Sequence, residues 1–283
     1  MSLREQGSQK LDNAIMSFQQ IVAIVLNFLF AFLFPKSETW QMKRVTFQQA
    51  RRLVLPSANF VFMLLCSLKA LKSVHVATVV VARNMCTVFI AGGEAVVFGR
   101  TFAMEVWLAL MVTVVGSVVY ALNDLHFDAE GYWYQALNSF FFCVGQLYEK
   151  WAMDKSTDQT PLGISTLKNA LSLPVLGSLM VVFGEVSSVP ALLDLPPATH
   201  LYILLSGFGC CALSIVYMTL YKISTATAVT VASNFNKVVA ILVSSYLFAG
   251  TLGVTQMVGL LVCILGCMWY SFAAQRQSKQ KEK

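Results

Sequence analysis

Charge is scarce in this sequence. Aspartate, glutamate, lysine and arginine make up 12% of its 283 residues, where a soluble domain carries about 25%. So few charged groups cannot cover the surface of a 31.2 kDa globule, which excludes a single soluble domain. Disorder is excluded as well, because 57% of the residues are hydrophobic and disordered chains are poor in such residues. Signals for catalysis are missing too. There is no phosphate loop, no Cys/His metal spacing and no Ser-His-Asp set, and the three histidines (His75, His126, His200) lie at the ends of apolar runs. No enzyme activity, cofactor or metal is expected. The seven cysteines all lie in apolar stretches, which excludes a secreted disulfide scaffold and suits unpaired thiols used as small hydrophobes. The net charge of +6 does not point to nucleic acid, because the basic residues form no stripe with interleaved aromatics.

What is abundant is apolar length. Mean hydropathy is +0.67, and a helix needs about 20 mostly apolar residues to cross the hydrocarbon core. Nine segments qualify: 16–34, 53–71, 74–98, 104–122, 131–149, 164–183, 200–220, 226–249 and 253–273. An all-α polytopic membrane protein with about nine transmembrane helices is expected. The longest polar connection runs from Lys36 to Arg52, so no loop can fold alone and residues 1–283 read as one transmembrane domain. The first thirteen residues are polar and hold no h-region, so no cleavable signal peptide is expected. Most lysines and arginines fall in one set of alternate connections, Lys43, Arg44, Arg51, Arg52, Arg100 and Lys150 among them; the opposite set holds only Arg4, Lys10, Lys69 and Lys72. That bias predicts a cytosolic C-terminus and, with nine spans, a luminal or external N-terminus. The tail Lys279-Gln280-Lys281-Glu282-Lys283 also fits a Lys-x-Lys-x-x retrieval signal of membranes that cycle between Golgi and endoplasmic reticulum.

Ionisable residues inside a span cost about 2.5–3.5 kcal/mol on insertion and are functional candidates by default. Lys237 sits near the middle of span 226–249, and Ser233 and Asn236 share its helical face. A hydroxyl, an amide and an ammonium on one intramembrane face suit a polar anion. Arg83 and Asn84 lie near the middle of span 74–98 and could add a second cationic group. The bland alternative pairs Lys237 with Glu94 or Glu149, and has Arg83 and Glu94 as a packing pair with neighbouring helices. Lys168 is close enough to a span end to snorkel, while Asn169 is deeper and could read a base edge. Asn138, Ser139 and Gln146 read as interhelical hydrogen-bonding residues. Glycines 92, 93, 207, 209, 259 and 266 read as sites of close helix packing. Cations with amides and hydroxyls beside them suit a ligand bearing phosphate.

Three stretches resemble the nucleotide-sugar transporters of the drug/metabolite transporter superfamily, and most of all the GDP-mannose transporters. The first is Ala82-Arg83-Asn84 followed by Gly92-Gly93-Glu94 and Phe98-Gly99; the second is Thr166-Leu167-Lys168-Asn169 ahead of Leu171-Ser172-Leu173-Pro174; the third is Ser233-Asn234-Phe235-Asn236-Lys237. The family carries Asn-Asn where Lys168-Asn169 stands, and Gly-Ala-Leu-Asn-Lys at 233–237, so Asn169, Asn236 and Lys237 match while Lys168, Ser233 and Asn234 depart. The segment Asp124–Tyr132 is similar instead to the related UDP-sugar transporters. The resemblance implies a fold of two five-helix repeats of opposite orientation, here residues 14–123 and 131–275, with span 16–34 aligned to the family's second helix. The first repeat is therefore expected to lack the first helix. The resemblance also implies a Golgi antiporter that takes in a nucleotide sugar, most simply GDP-mannose, and returns the nucleoside monophosphate. The resemblance carries over Asn169, Asn236 and Lys237 as substrate contacts; Arg83, Asn84 and Ser233 join them from the reading of the spans, with the two halves rocking around the set. Expected partners are the nucleotide sugar, the monophosphate, the lipid bilayer and a second copy in a homodimer. A UDP-sugar or sugar-phosphate transporter, or a non-transporting membrane protein that regulates a partner, stays open as an alternative.

Overall fold

The computed structural model describes residues 12–33, 46–74, 76–122, 128–155, 159–182, 196–247 and 253–281, with 184, 186 and 190. The polar N-terminus, residues 124–127 and the last two residues of the tail motif lie outside the described residues. Among the described residues there is no strand, and nine helices carry the chain. They are α1 (Asp12–Leu33), α2 (Phe47–Ser73), α3 (Val76–Phe98), α4 (Met104–Ala121), α5 (Ala129–Lys155), α6 (Pro161–Val182), α7 (Pro197–Ile223), α8 (Ala226–Leu247) and α9 (Val254–Lys281). Each falls on one expected span. The helices outrun the apolar segments where polar residues follow, as in α5 to Lys155 and α9 to Lys281, because an apolar run marks the hydrocarbon layer and a helix continues beyond it.

Seven of these helices are long and apolar enough to cross a membrane. The other two, α2 and α5, carry more polar groups: α2 has Arg51, Arg52, Lys69 and Lys72, and α5 has Gln135, Asn138, Gln146, Glu149 and Lys150. The chain is a polytopic helical membrane protein. Side chains such as Phe32, Val96 and Val182 are exposed, as lipid-facing helix surfaces require. All seven cysteines are free.

The helices form two compact units, one of residues Met1–Val61 and Trp151–Ile223, the other of Phe62–Lys150 and Ser224–Lys283. In the first, α1 packs on α6 and α7 around Ala23, Leu162, Cys211 and Ile215. Polar groups tie the same helices, with Gln19 Nε2 donating to Ser206 Oγ at 2.6 Å and Cys211 Sγ to Asn27 Oδ1 at 3.2 Å. In the second unit α3 packs against α4 and α8, and α4 runs along α9. A Cβ on Gly116 would meet Cys263 N at 2.7 Å, and one on Gly259 would strike the Tyr120 backbone. Only glycine allows that approach. The expected packing role is thus met at Gly259 and Gly266, and at Gly207 against Val22 in the first unit, whereas Gly92 and Gly209 have open space.

Candidate anion-binding site

Helices α3 and α8 are antiparallel neighbours in the second unit. Glu94, near the end of α3, bonds the start of α8, and residues 83–87 meet Asn234 further along it. On α3, Arg83 is only 8% exposed. Its Nη2 donates to Asn138 Oδ1 of α5 at 3.3 Å, and its Cζ stands 3.9 Å from the centroid of the Phe142 ring. A desolvated cation over a ring gains about 2 kcal/mol, while burying an unpaired charge costs several kcal/mol. Ring and amide offset only part of that cost. Arg83 Nη1 and Asn138 Nδ2 are buried donors with no partner among the described residues. Lys237, exposed on α8, has its Nζ 6.0 Å from the same Phe142 centroid. One aromatic ring therefore serves two cations.

Neither cation has a carboxylate partner among the described residues. The expected alternative, in which Glu94 neutralises Lys237, is corrected here. Glu94 is fully buried and accepts from Ala226 N at 2.9 Å, Thr227 N at 3.0 Å and Thr227 Oγ1 at 2.5 Å, with Arg100 Nε 3.9 Å away. The first turn of a helix has open N–H donors and a positive partial charge, and at α8 those are what the carboxylate meets. Thr225 Oγ1 takes the next donor, Ala228 N, at 3.0 Å. The first-turn amides 226–228 of α8 are all satisfied.

The other candidates divide between the two units. Asn84 is 2% exposed, and its Oδ1 accepts from Asn234 Nδ2 at 2.9 Å. Ser233 is half-buried and Asn236 exposed on α8. Asn169 lies on α6 in the first unit, 8% exposed, with its Nδ2 unpartnered among the described residues. Lys168 is half-buried, with Nζ 5.0 Å from the Phe60 centroid. The interhelical reading holds for Asn138, and for Gln146, whose Oε1 accepts from Thr230 Oγ1 of α8 at 3.2 Å.

Sequence reasoning missed three contributors: Phe142, Asn234 and the capping role of Glu94. Phe142 was within reach, because it follows Asn138 by one helical turn and so shares its face. Asn234 and Glu94 were not, since their partners stand more than 130 residues away. Cations over one ring, with unfilled amide and guanidinium donors beside them and no neutralising acid among the described residues, can receive an anion.

A polytopic helical bundle with such a site has the makings of a carrier for anionic solutes. The model of the Triose-phosphate Transporter family matches residues 12–271, and the chain belongs to that family. Among curated relatives, the GDP-mannose transporter GONST1 of Arabidopsis thaliana is 32% identical over 187 residues, which is 63% of this chain. GDP-mannose transporter GONST2 of the same plant is 30% identical over 132 residues, 44% of this chain. The aligned part of this chain spans 56% and 35% of those two relatives' own lengths. UDP-galactose/UDP-glucose transporter 7 of Arabidopsis thaliana is 29% identical over 233 residues, covering 80% of this chain and 69% of that relative. The family resemblance read from the three stretches agrees with these relatives.

Proposed function

We propose that the protein is a nucleotide-sugar antiporter of the Golgi membrane, with GDP-mannose its first candidate substrate and GMP the exchanged product. The observation that carries this reading is Arg83, a buried cation that has, among the described residues, an open Nη1, an open amide donor beside it and no carboxylate partner. A phosphate supplies the missing acceptors and the missing charge together. Lys237, over the same ring, adds the second positive group a diphosphate requires. In this reading Ser233 and Asn236 hydrogen-bond the sugar end, while Asn169 of the first unit, whose Nδ2 has no partner among the described residues, stays a base-reading candidate on the resemblance alone. Asn84 supports the site from behind through Asn234.

Obligatory exchange follows from the same charges. An empty site holding uncompensated buried charge is costly to carry through a conformational change, and either phosphate ligand relieves that cost. The bias of basic residues supports a cytosolic C-terminus, and Lys279 and Lys281 support cycling through the endoplasmic reticulum. The resemblance supports two repeats, 14–123 and 131–275.

A second reading, a UDP-sugar substrate, is favoured by the relative named for UDP-galactose and UDP-glucose, which aligns over 80% of this chain. A ligand panel on the purified protein separates the two. A ligand at 100 times its Kd stabilises the folded state by about 2.7 kcal/mol, which raises the melting temperature by several degrees. GDP-mannose and GMP should give that rise and UDP-sugars should not. A rise with UDP-sugars alone selects the second reading, and none with any nucleotide sugar rejects both.

A further inference from the structure

We propose that Asn234 and Glu94 are positioning residues that fasten α8 to α3 and hold Lys237 and Arg83 at one fixed spacing. The two helices are joined at two polar points. At the first, the fully buried Glu94 carboxylate takes Ala226 N, Thr227 N and Thr227 Oγ1. At the second, Asn234, 4% exposed, points its Nδ2 at three acceptors on α3: Arg83 O at 3.3 Å, Asn84 Oδ1 at 2.9 Å and Thr87 Oγ1 at 3.0 Å. The bond to Arg83 O ties the backbone of one cationic residue to the helical turn that carries the other. Eight residues separate the two points on α8, about 12 Å of helix. Fastening at two points that far apart blocks both sliding and axial rotation of α8 on α3.

The spacing of the cations matters to a ligand that touches both. A diphosphate bridges Arg83 and Lys237 and loses affinity when α8 shifts; a monophosphate meets one cation and is insensitive to the shift. This selectivity rests on the proposed nucleotide-sugar site, whereas the fastening itself does not.

The test uses the full chain with nitroxides on unnatural side chains at Val97 and Val243. Both positions are exposed, and they lie about 30 Å apart along the α8 axis. Pulsed electron paramagnetic resonance should give one narrow distance distribution for the unchanged protein. Asn234→Ala, which introduces the alanine of the resembled Gly-Ala-Leu-Asn-Lys pattern, should broaden it. That variant should also weaken GDP binding by about tenfold and leave GMP within about twofold. Thr87→Ala removes one acceptor of three and should broaden the distribution less. A broad distribution in the unchanged protein, an unaltered one in Asn234→Ala, or equal losses for GDP and GMP would each overturn the inference. If the unchanged protein binds neither nucleotide, the site reading fails, and the distance distributions alone decide whether α8 is fastened.

Discussion

Replacing Lys237 with alanine separates a ligand-binding cation from a structural one. In the structure its ammonium touches no carboxylate among the described residues and stands 6.0 Å from the centroid of the Phe142 ring. At an exposed position such a contact contributes about 0.5–1 kcal/mol, so the variant should lose less than about 1 kcal/mol of stability. The ammonium-phosphate contact belongs to a stronger class, about 1.5–3 kcal/mol for hydrogen bonds to charged groups. At 1.4 kcal/mol per tenfold, Lys237→Ala should weaken GDP-mannose binding, which uses both cations, by about 10- to 100-fold. The assay pairs isothermal titration with GDP-mannose and GMP with thermal unfolding in the same detergent. Lys168→Ala is the control, because Lys168 stands over Phe60 in the other unit; it should change binding far less. A lower melting temperature with unchanged binding in Lys237→Ala would refute the reasoning, since it would make Lys237 a packing residue.

Arg83→Met keeps the side-chain volume and removes a buried charge that no acid compensates; melting temperature should hold or rise, while titrated nucleotide affinity drops by about tenfold or more. Glu94→Ala leaves the first-turn amides of α8 and Arg100 without their acceptor, and should cost about 3 kcal/mol or more in thermal unfolding. Gly259→Ala puts a methyl into the Tyr120 backbone and forces α4 from α9, for a loss of about 1–3 kcal/mol. Gly209→Ala, with open space around it, should be neutral in the same measurement.

The helices were legible in the sequence because lipid demands unbroken apolar length, and that demand shows at every span. Their ends were less so. Span 53–71 begins inside α2, which starts at Phe47, because the first turn of α2 is polar and hydropathy cannot register it. At the site, Arg83 and Lys237 stood out for the same reason as the spans: a charge in an apolar run is expensive. Their surroundings depend on tertiary placement. From sequence alone Glu94 reads as a counter-charge for Lys237; in three dimensions the start of α8 stands beside it and claims the carboxylate. Asn234 reads as a departure from a family pattern, yet it is the group that reaches across to α3.

Anion exchange through a site of uncompensated cations is tested most directly by counterflow in proteoliposomes made from this chain and loaded with GMP. Labelled GDP-mannose supplied outside should accumulate against its gradient, no accumulation should occur in vesicles loaded with buffer, and Arg83→Met should abolish it. Equal uptake with and without internal GMP, or full exchange by Arg83→Met, would contradict the account.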